Sequence, residues 1–376
     1  MYKLTVKLKQ HTPLIHFQHE QHGATLRATE LKPKLDRFLI KKLGITNGNI
    51  PKKYEDWFIS TDKMALDYKV RIIAEKVDEK WIGFVSKNDK IRNKINDKDL
   101  LTGTAYFADN DKLKKGKFSE CKKGLTFTKI TCYFLSFNSN LINEIANVVS
   151  DFFILTNLGS RTSKGFGSFT VEKIEEKSIV YSTTDISSVL KNHYACVYLS
   201  DNKLTDLSDV NRIYQILKSG INKTPSSLEK YLWSGFKIDW EKYVVMEDLV
   251  QNINNPEERD YTKSRKYKFA RAVLGLAGSY NYPPNHHHSQ VETVTIKHVP
   301  QKKDEDTIER MQSPIFFKII DKAIYLCANK TYQAIENKVF KFSSEMDKVG
   351  IEMKTINNFD IKDFLEKHLS KNWTQL

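Results

Sequence analysis

Gly159-Ser160-Arg161-Thr162-Ser163-Lys164-Gly165-Phe166-Gly167-Ser168-Phe169 is the segment that most limits what this chain can fold into. Three glycines close together let the backbone turn sharply and let another group approach its N–H donors. Apolar residues before the segment recur at helical spacing and those after it alternate, so the loop joins a helix to a strand. A Walker loop runs the other way, from strand to helix, and ends Gly-Lys-Ser/Thr. A nucleoside-triphosphate cradle is therefore excluded. Two readings remain: a helix cap with a tight turn, or a grip on a phosphate–sugar chain. Arg161 and Lys164 supply cations, and Phe166 and Phe169 supply flat apolar faces, a combination that suits the second.

The charge balance points the same way. Lys and Arg number 60 against 46 Asp and Glu, a net charge of +14, which favours a polyanionic partner through counterion release. A chain of 376 residues is long enough for two domains, and 17 Tyr with 21 Phe argue for packed cores rather than disorder. No run approaches the roughly 20 apolar residues of a spanning helix, so no membrane partner is expected. The start of the chain alternates like a strand and lacks a signal-peptide core. Cys121, Cys132, Cys196 and Cys327 are scattered, without metal-ligand spacing. A reduced, cytoplasmic protein with no metal and no cofactor is the expectation.

Tyr2, Leu4, Val6 and Leu8 share one face of a first strand. A helix begins between Thr29 and Pro33, carries the stripe Leu31, Leu35, Phe38, Leu39 and Leu43, and ends at Gly44. Alternation at 68–74 and again at 81–85 predicts two short strands. The lysine-heavy stretch 86–123 reads as an inserted loop or hairpin, followed by a strand over 125–137. Asn138 caps a second helix with Leu141, Ile145, Val148, Val149 and Phe152 on its face, which leads into the glycine loop and a strand over 169–174. This order is the split βαβ, ferredoxin-like (RRM-like) arrangement, with one sheet face free for a partner.

Residues 175–192 read as a linker. Beyond it come a strand at 193–199, helical faces around Ile213 to Leu217 and over 239–253, strands at 291–299, 314–320 and 323–328, and a helix at 360–370. The expected fold class is α+β: two tandem ferredoxin-like domains with insertions, at 1–180 and 190–376. The basic run Lys263, Arg265, Lys266, Lys268 and Arg271 is interleaved with Tyr261, Tyr267 and Phe269, a pattern suited to nucleic acid, with Lys266 and Arg271 as candidate contacts.

Catalytic motifs are sparse. His11, His16, His19 and His22 crowd one loop and could move protons in metal-independent RNA cleavage. A polar loop is the plainer account of them. His286-His287-His288 reads as an exposed loop. The scattered acidic residues announce no two-metal nuclease, and no nucleophile-elbow sequence occurs.

Three segments resemble one family. Thr12-Pro13-Leu14 with Leu26-Arg27-Ala28-Thr29-Glu30-Leu31-Lys32-Pro33-Lys34-Leu35-Asp36-Arg37-Phe38 is similar to the opening motif of the RAMP superfamily of CRISPR proteins. The glycine loop resembles that superfamily's G-x-R-(S/T)-x-(K/R)-G-(F/Y)-G signature. Arg310-Met311-Gln312-Ser313-Pro314-Ile315 resembles the R-x-x-SP-(I/L) strand in the second half of its two-domain, Cmr-type members. Pro33 stands where the opening motif usually has glycine. The resemblance implies an RNA-binding subunit at the head of a type III-B (Cmr) antiviral effector. Its partners would be guide crRNA, target RNA and other Cmr-type subunits.

Arg27, Lys32, Lys34 and Arg37 would present cations from the first helix. Gly159, Arg161, Lys164, Gly165, Phe166, Gly167 and Ser168 would grip RNA backbone, the N–H groups of Gly165 to Ser168 included. Lys266, Arg271 and Arg310 would contribute from the second half. No catalytic residue is carried over, and a non-enzymatic role is expected. The alternative is a CRISPR repeat-RNA endonuclease using His16 and His19; there the glycine loop lies near the chain's end, whereas roughly 200 residues follow it here.

Overall fold

The computed structural model describes residues 1–16, 25–46, 49–83, 100–101, 115–117, 120–221, 224–250, 260–282, 292–329, 331–345 and 349–376. Along the first half its larger elements are β1 (Tyr2–Gln10), α1 (Ala28–Lys42), β2 (Lys69–Ile82), β3 (Lys123–Ser136), α2 (Ser139–Leu155), β4 (Phe169–Ile174), α3 (Thr183–His193) and β5 (Cys196–Ser200). There follow α4 (Leu207–Lys218), α5 (Ser227–Phe236), β6 (Tyr267–Lys268) and β7 (Glu292–Val299). The chain continues through β8 (Ile315–Ile320), β9 (Ala323–Ala328), β10 (Val339–Ser343), β11 (Ile351–Lys354), α6 (Ile361–His368) and β12 (Trp373–Gln375).

The fold is mixed α/β with several sheets. The chain forms two compact units, and the division does not follow sequence order. One comprises Met1–Asn211 with Phe316–Cys327 and Trp373–Leu376; the other comprises Arg212–Ile315 with Ala328–Asn372.

In the first unit, β2, β3, β1 and β4 lie side by side in that order, with Leu100–Leu101 outside β2 and Lys177–Ser178 outside β4. The central pairings are antiparallel, with Leu4 opposite Phe134 and Val6 opposite Cys132. The period of two puts Leu4, Val6 and Leu8 on the covered face, where they meet Leu31, Leu35 and Leu39 of α1 and Ile145, Val149 and Phe152 of α2. Each such buried Leu or Phe stabilises the fold by about 2 kcal/mol. Helix α1 ends as its sequence indicates. Gly44 takes φ +68, and the N–H groups of Gly44 and Ile45 reach the carbonyls of Lys41 and Ile40, which closes a Schellman turn. Asn138 caps α2 by accepting from the Leu141 N–H at 3.0 Å.

A second sheet in the same unit has the order β8, β9, β5, β12. Its Val197, Phe316, Ile320, Tyr325 and Cys327 pack with Ile154 of α2 and with Ile186 and Leu190 of α3. Helix α2 thus serves two cores, through Phe152 on one side and Ile154 on the other. The other unit holds a sheet with the order Asp260–Tyr261, β11, β10, β7 and Ser279–Tyr282. Phe269 anchors it, with ring centroids 4.8 Å from Phe342 and 5.4 Å from Phe340.

Several sequence expectations are corrected. The two strands expected at 68–74 and 81–85 are joined over Lys69–Ile82 in one strand, β2, paired with β3, and residues 84–85 lie outside the described residues. The stretch 175–192 is no linker, since α3 fills most of it. A capping box starts that helix: Asp185 N–H donates to Ser182 Oγ at 3.1 Å and Ser182 N–H to Asp185 Oδ2 at 2.9 Å. Only Ile186 and Leu190 of this helix are buried, and its polar remainder hid it in the sequence. The helix expected at 239–253 is a two-residue strand, Asp239–Trp240, then a short helix, Glu241–Val245, and a wider turn, Met246–Val250. Most of the stretch read as an inserted hairpin at 86–123 lies outside the described residues. We expect Ser182→Ala to cost about 1 kcal/mol, measured as a lower urea midpoint; a residue in a true linker would leave the midpoint unmoved.

Candidate nucleic-acid interface

The glycine loop is built inward as much as outward. Glycine at 167 is a steric requirement, because at φ +66 a Cβ would collide with the Leu158 carbonyl. Gly167 N–H donates to Pro13 O at 2.9 Å, Ser168 N–H to Thr12 Oγ1 at 2.9 Å, and Gly165 N–H to Thr162 O at 3.2 Å. The Thr12 hydroxyl in turn donates to Gly165 O at 2.6 Å. These three donors are engaged within the protein, which corrects the expectation for Gly165, Gly167 and Ser168 that their N–H groups would grip RNA. Phe166 and Phe169 are likewise core residues, 1% and 0% exposed, and offer no face to a partner.

Strand β8 holds the loop from the other side. Phe317 N–H donates to Ser163 O at 3.0 Å, and Asn157 Nδ2 bridges Thr162 O at 2.8 Å and Phe317 O at 2.9 Å. Lys318, wholly buried, places its Nζ within reach of Phe153 O at 2.6 Å, Thr156 O and Asn157 Oδ1 at 3.2 Å, and Phe169 O at 3.1 Å. The end of α2, the loop and the start of β4 are thereby fastened to one amine. Burial draws that amine's pKa down to about 7. Lys318 was not singled out in the sequence. The available signal was a lone lysine inside Ile315-Phe316-Phe317-Lys318-Ile319-Ile320, which a buried strand tolerates only if its charge is hydrogen-bonded.

The helix start is fastened to the same loop. Glu30 Oε1 accepts from Gly159 N–H at 2.6 Å and from Lys34 Nζ at 2.7 Å. Lys34 also reaches Asn157 O at 3.3 Å. Lys32 is bound to Asp36 at 2.7 Å and to Leu66 O at 2.9 Å, with its amine 4.4 Å from the Tyr68 ring centre. Both lysines have structural partners. Arg37 is exposed, and Arg27 is half-buried at the N-cap, where no side chain caps the helix. Arg161, in the left-handed region at φ 59, and Lys164 are half-buried on the loop. Burial first, and the Arg161 charge second, lower the Lys164 pKa to about 8. Two like charges held together in a partly desolvated loop are relieved by an anion between them.

The uncovered face of the first sheet adds further cations that motif reading missed. With Leu4, Val6 and Leu8 turned inward, Lys3, Thr5 and Lys7 face the other way beside Tyr133, and Lys3 Nζ lies 4.8 Å from that ring's centre. Arg71 of β2 pairs with Tyr133 from the opposite strand, and Lys69 with Leu135. The signal was present in Tyr2-Lys3-Leu4-Thr5-Val6-Lys7, whose polar half is cationic.

The candidates from the second half fall elsewhere. Lys266 and Arg310 are exposed in the other unit. Arg271 is 7% exposed, ion-paired with Glu241 and stacked 3.9 Å from the Tyr280 ring centre, so it is a core residue and not an RNA contact. Of the histidines, His11 donates from Nε2 to Thr170 Oγ1 at 2.8 Å and accepts at Nδ1 from Asp321 N–H at 3.1 Å. Burial, with Lys318 nearby, lowers its pKa to about 4. It is a neutral structural group rather than a proton shuttle. His16 is buried, and His19, His22 and His286 to His288 lie outside the described residues. Among the described residues no helix is long and apolar enough to cross a membrane.

These features define a class: a mixed α/β protein whose glycine loop is locked into its core while cations remain at the loop's rim and on an open sheet face. Family models described as Cmr1 N-terminal domain and Cmr1 C-terminal domain match residues 1–221 and 223–375, and the chain belongs to the Cmr1 family. No curated protein matches it. Among solved structures, the chain is similar to Cmr1 from Pyrococcus furiosus in its apo form, at 12% identity over 100% of this chain and 98% of that one, with TM-score 0.44. A chain of the type III-B Cmr-beta complex bound to cognate target RNA and AMPPnP, in the presence of ssDNA, matches at 13% identity over 97% and 98%, with TM-score 0.41. A RAMP protein binding different RNA substrates matches at 9% identity over 95% and 100%, with TM-score 0.23.

Lys318→Met should destabilise the protein by about 3 kcal/mol at pH 9, because several buried oxygens lose their donor. The sign of the pH dependence follows from the lowered pKa. Between about pH 7 and 10 the unfolded chain keeps a proton that the folded chain releases, so wild-type stability rises with pH and its margin over the variant widens. Urea midpoints of both proteins across that range measure this.

Proposed function

We propose that the chain is an RNA-binding subunit of a type III-B CRISPR ribonucleoprotein effector. It would hold guide or target RNA near the guide's 3′ head end, in the cytoplasm, alongside other Cmr-type subunits in antiviral defence. The observation that carries this reading is the pair of family matches, which together span nearly the whole chain. The net charge of +14 and the cations at Arg27, Arg161, Lys164, Lys3, Lys7, Lys69 and Arg71 support a polyanionic partner.

The proposal includes two tandem ferredoxin-like domains, at 1–180 and 190–376. Strand order supports it. The first sheet runs β2, β3, β1, β4 with helices α1 and α2 in its connections; the second runs β8, β9, β5, β12 with α4 and α6 in the matching connections. RNA backbone would be held by side-chain cations, since the N–H groups of Gly165, Gly167 and Ser168 are engaged internally. Binding of this kind is largely sequence-independent and falls with salt.

Arg161→Ala with Lys164→Ala should weaken binding of single-stranded RNA and flatten the dependence of log K on log salt by about 1.4, at ~0.7 per lost phosphate contact. Wild-type affinity should also decline above pH 8 as Lys164 loses its proton, and the double variant should lack that decline. A folded double variant with the wild-type salt slope would sink the assignment of this loop.

A further inference from the structure

Helix α5 and the segment after it expose large aromatic rings that a folded protein normally covers. Trp233 is 51% exposed, Phe236 43% and Tyr243 51%. Helical spacing and one hydrogen bond bring them together. Glu229, Trp233 and Phe236 are spaced four and three residues apart on one face of α5. The Tyr243 hydroxyl donates to Glu229 Oε1 at 2.8 Å, which brings that ring beside the same face.

Lysines alternate with the rings. Lys237 Nζ lies 5.6 Å from the Trp233 ring centre, from a left-handed position (φ 54) where a helix end normally carries glycine or asparagine. The strand after it, Asp239–Trp240, pairs in parallel with β6. Lys266, just before β6, binds Asp239 at 3.0 Å with its amine 5.0 Å from the Tyr267 ring centre. Lys230 is exposed on α5, and Lys242 Nζ lies 5.7 Å from the Trp240 ring centre. Lys266 neutralises Asp239, Glu229 keeps its charge while accepting from the Tyr243 hydroxyl, and Lys230, Lys237 and Lys242 outweigh it and leave the patch net positive.

We propose that Trp233, Phe236 and Tyr243, with Lys230, Lys237 and Lys242, form a base-stacking platform for single-stranded RNA. The proposal rests on the RNA-binding reading above and deepens it by adding a second place of contact, one that engages bases rather than phosphates. The alternation of rings with cations decides the occupant. Protein interface cores are depleted in lysine, whereas single-strand binding surfaces combine π-faces for the bases with ammonium groups for the backbone. A duplex hides its base faces and gains nothing from such a surface.

The test uses the full chain with two probes, a labelled oligouridylate and a labelled RNA duplex. Trp233→Ala and Phe236→Ala should each weaken oligouridylate binding about tenfold. Both should leave duplex binding and the salt slope unchanged, because neither removes a cation. Trp233→Tyr should restore most of the loss, and an unchanged unfolding midpoint confirms that the exposed rings do not hold up the fold. If the wild type binds oligouridylate and the double alanine variant binds it equally well, the platform is wrong while the RNA-binding reading stands. If the wild type binds neither probe, the RNA-binding reading falls and the platform with it. A double variant that keeps RNA affinity but no longer co-purifies with its effector subunits would make the patch a protein-docking face and overturn the proposal.

Discussion

A lysine amine with no exposure to solvent sits where the end of helix α2, the glycine loop and strand β4 meet, within reach of four oxygen atoms. An ammonium group in such a place is tolerable only because those oxygens replace its water. The converse also holds. Carbonyls at a helix end and around a tight loop need donors, and Lys318 supplies them. Asn157 extends the arrangement by bonding both the loop and strand β8. Thr12 does so from the opposite side, with its hydroxyl donating to Gly165 O and accepting from Ser168 N–H. Remove the amine, and the loop, the helix end and two sheets lose their common tie.

This construction divides labour within the loop. The backbone donors, Phe166 and the glycines face inward and set the loop's shape. Arg161 and Lys164 stay at the rim, close enough for one to depress the pKa of the other. A flexible basic loop would let those charges separate and pay an entropic cost on binding. Here the fold holds the two charges close together. Helix α1 joins the arrangement through Glu30, so that the start of the helix and the start of the loop are held as one piece.

Periodicity made the first sheet legible. Leu4, Val6 and Leu8 alternate, the α1 stripe recurs at helical spacing, and Gly44 and Asn138 stop and start helices by mechanisms that depend on their own chemistry. What could not be read is whatever depends on distant partners. Phe166 looks like an offered ring because nothing local says that a core surrounds it. Arg271 belongs to a basic run, yet Glu241, thirty residues earlier, takes it into the interior. Helix α3 buries only Ile186 and Leu190 and otherwise reads as polar loop. Motif likeness gave the glycine loop its family. The hydrogen bonds that turn the N–H groups of Gly159, Gly167 and Ser168 inward come from residues more than a hundred positions away.

That last distance bears on how the chain is made. Lys318 lies 161 positions beyond Asn157, whose side chain it contacts. At a synthesis rate of ~5–20 residues per second, roughly 8–30 s pass between the emergence of the loop and that of the amine that ties it. Over that interval the first sheet can pair and bury its leucines, while the oxygens that Lys318 and Phe317 will bind stay hydrated. The nascent protein therefore has a window in which its first sheet is formed and those oxygens still lack their donors, and strand β8 closes it.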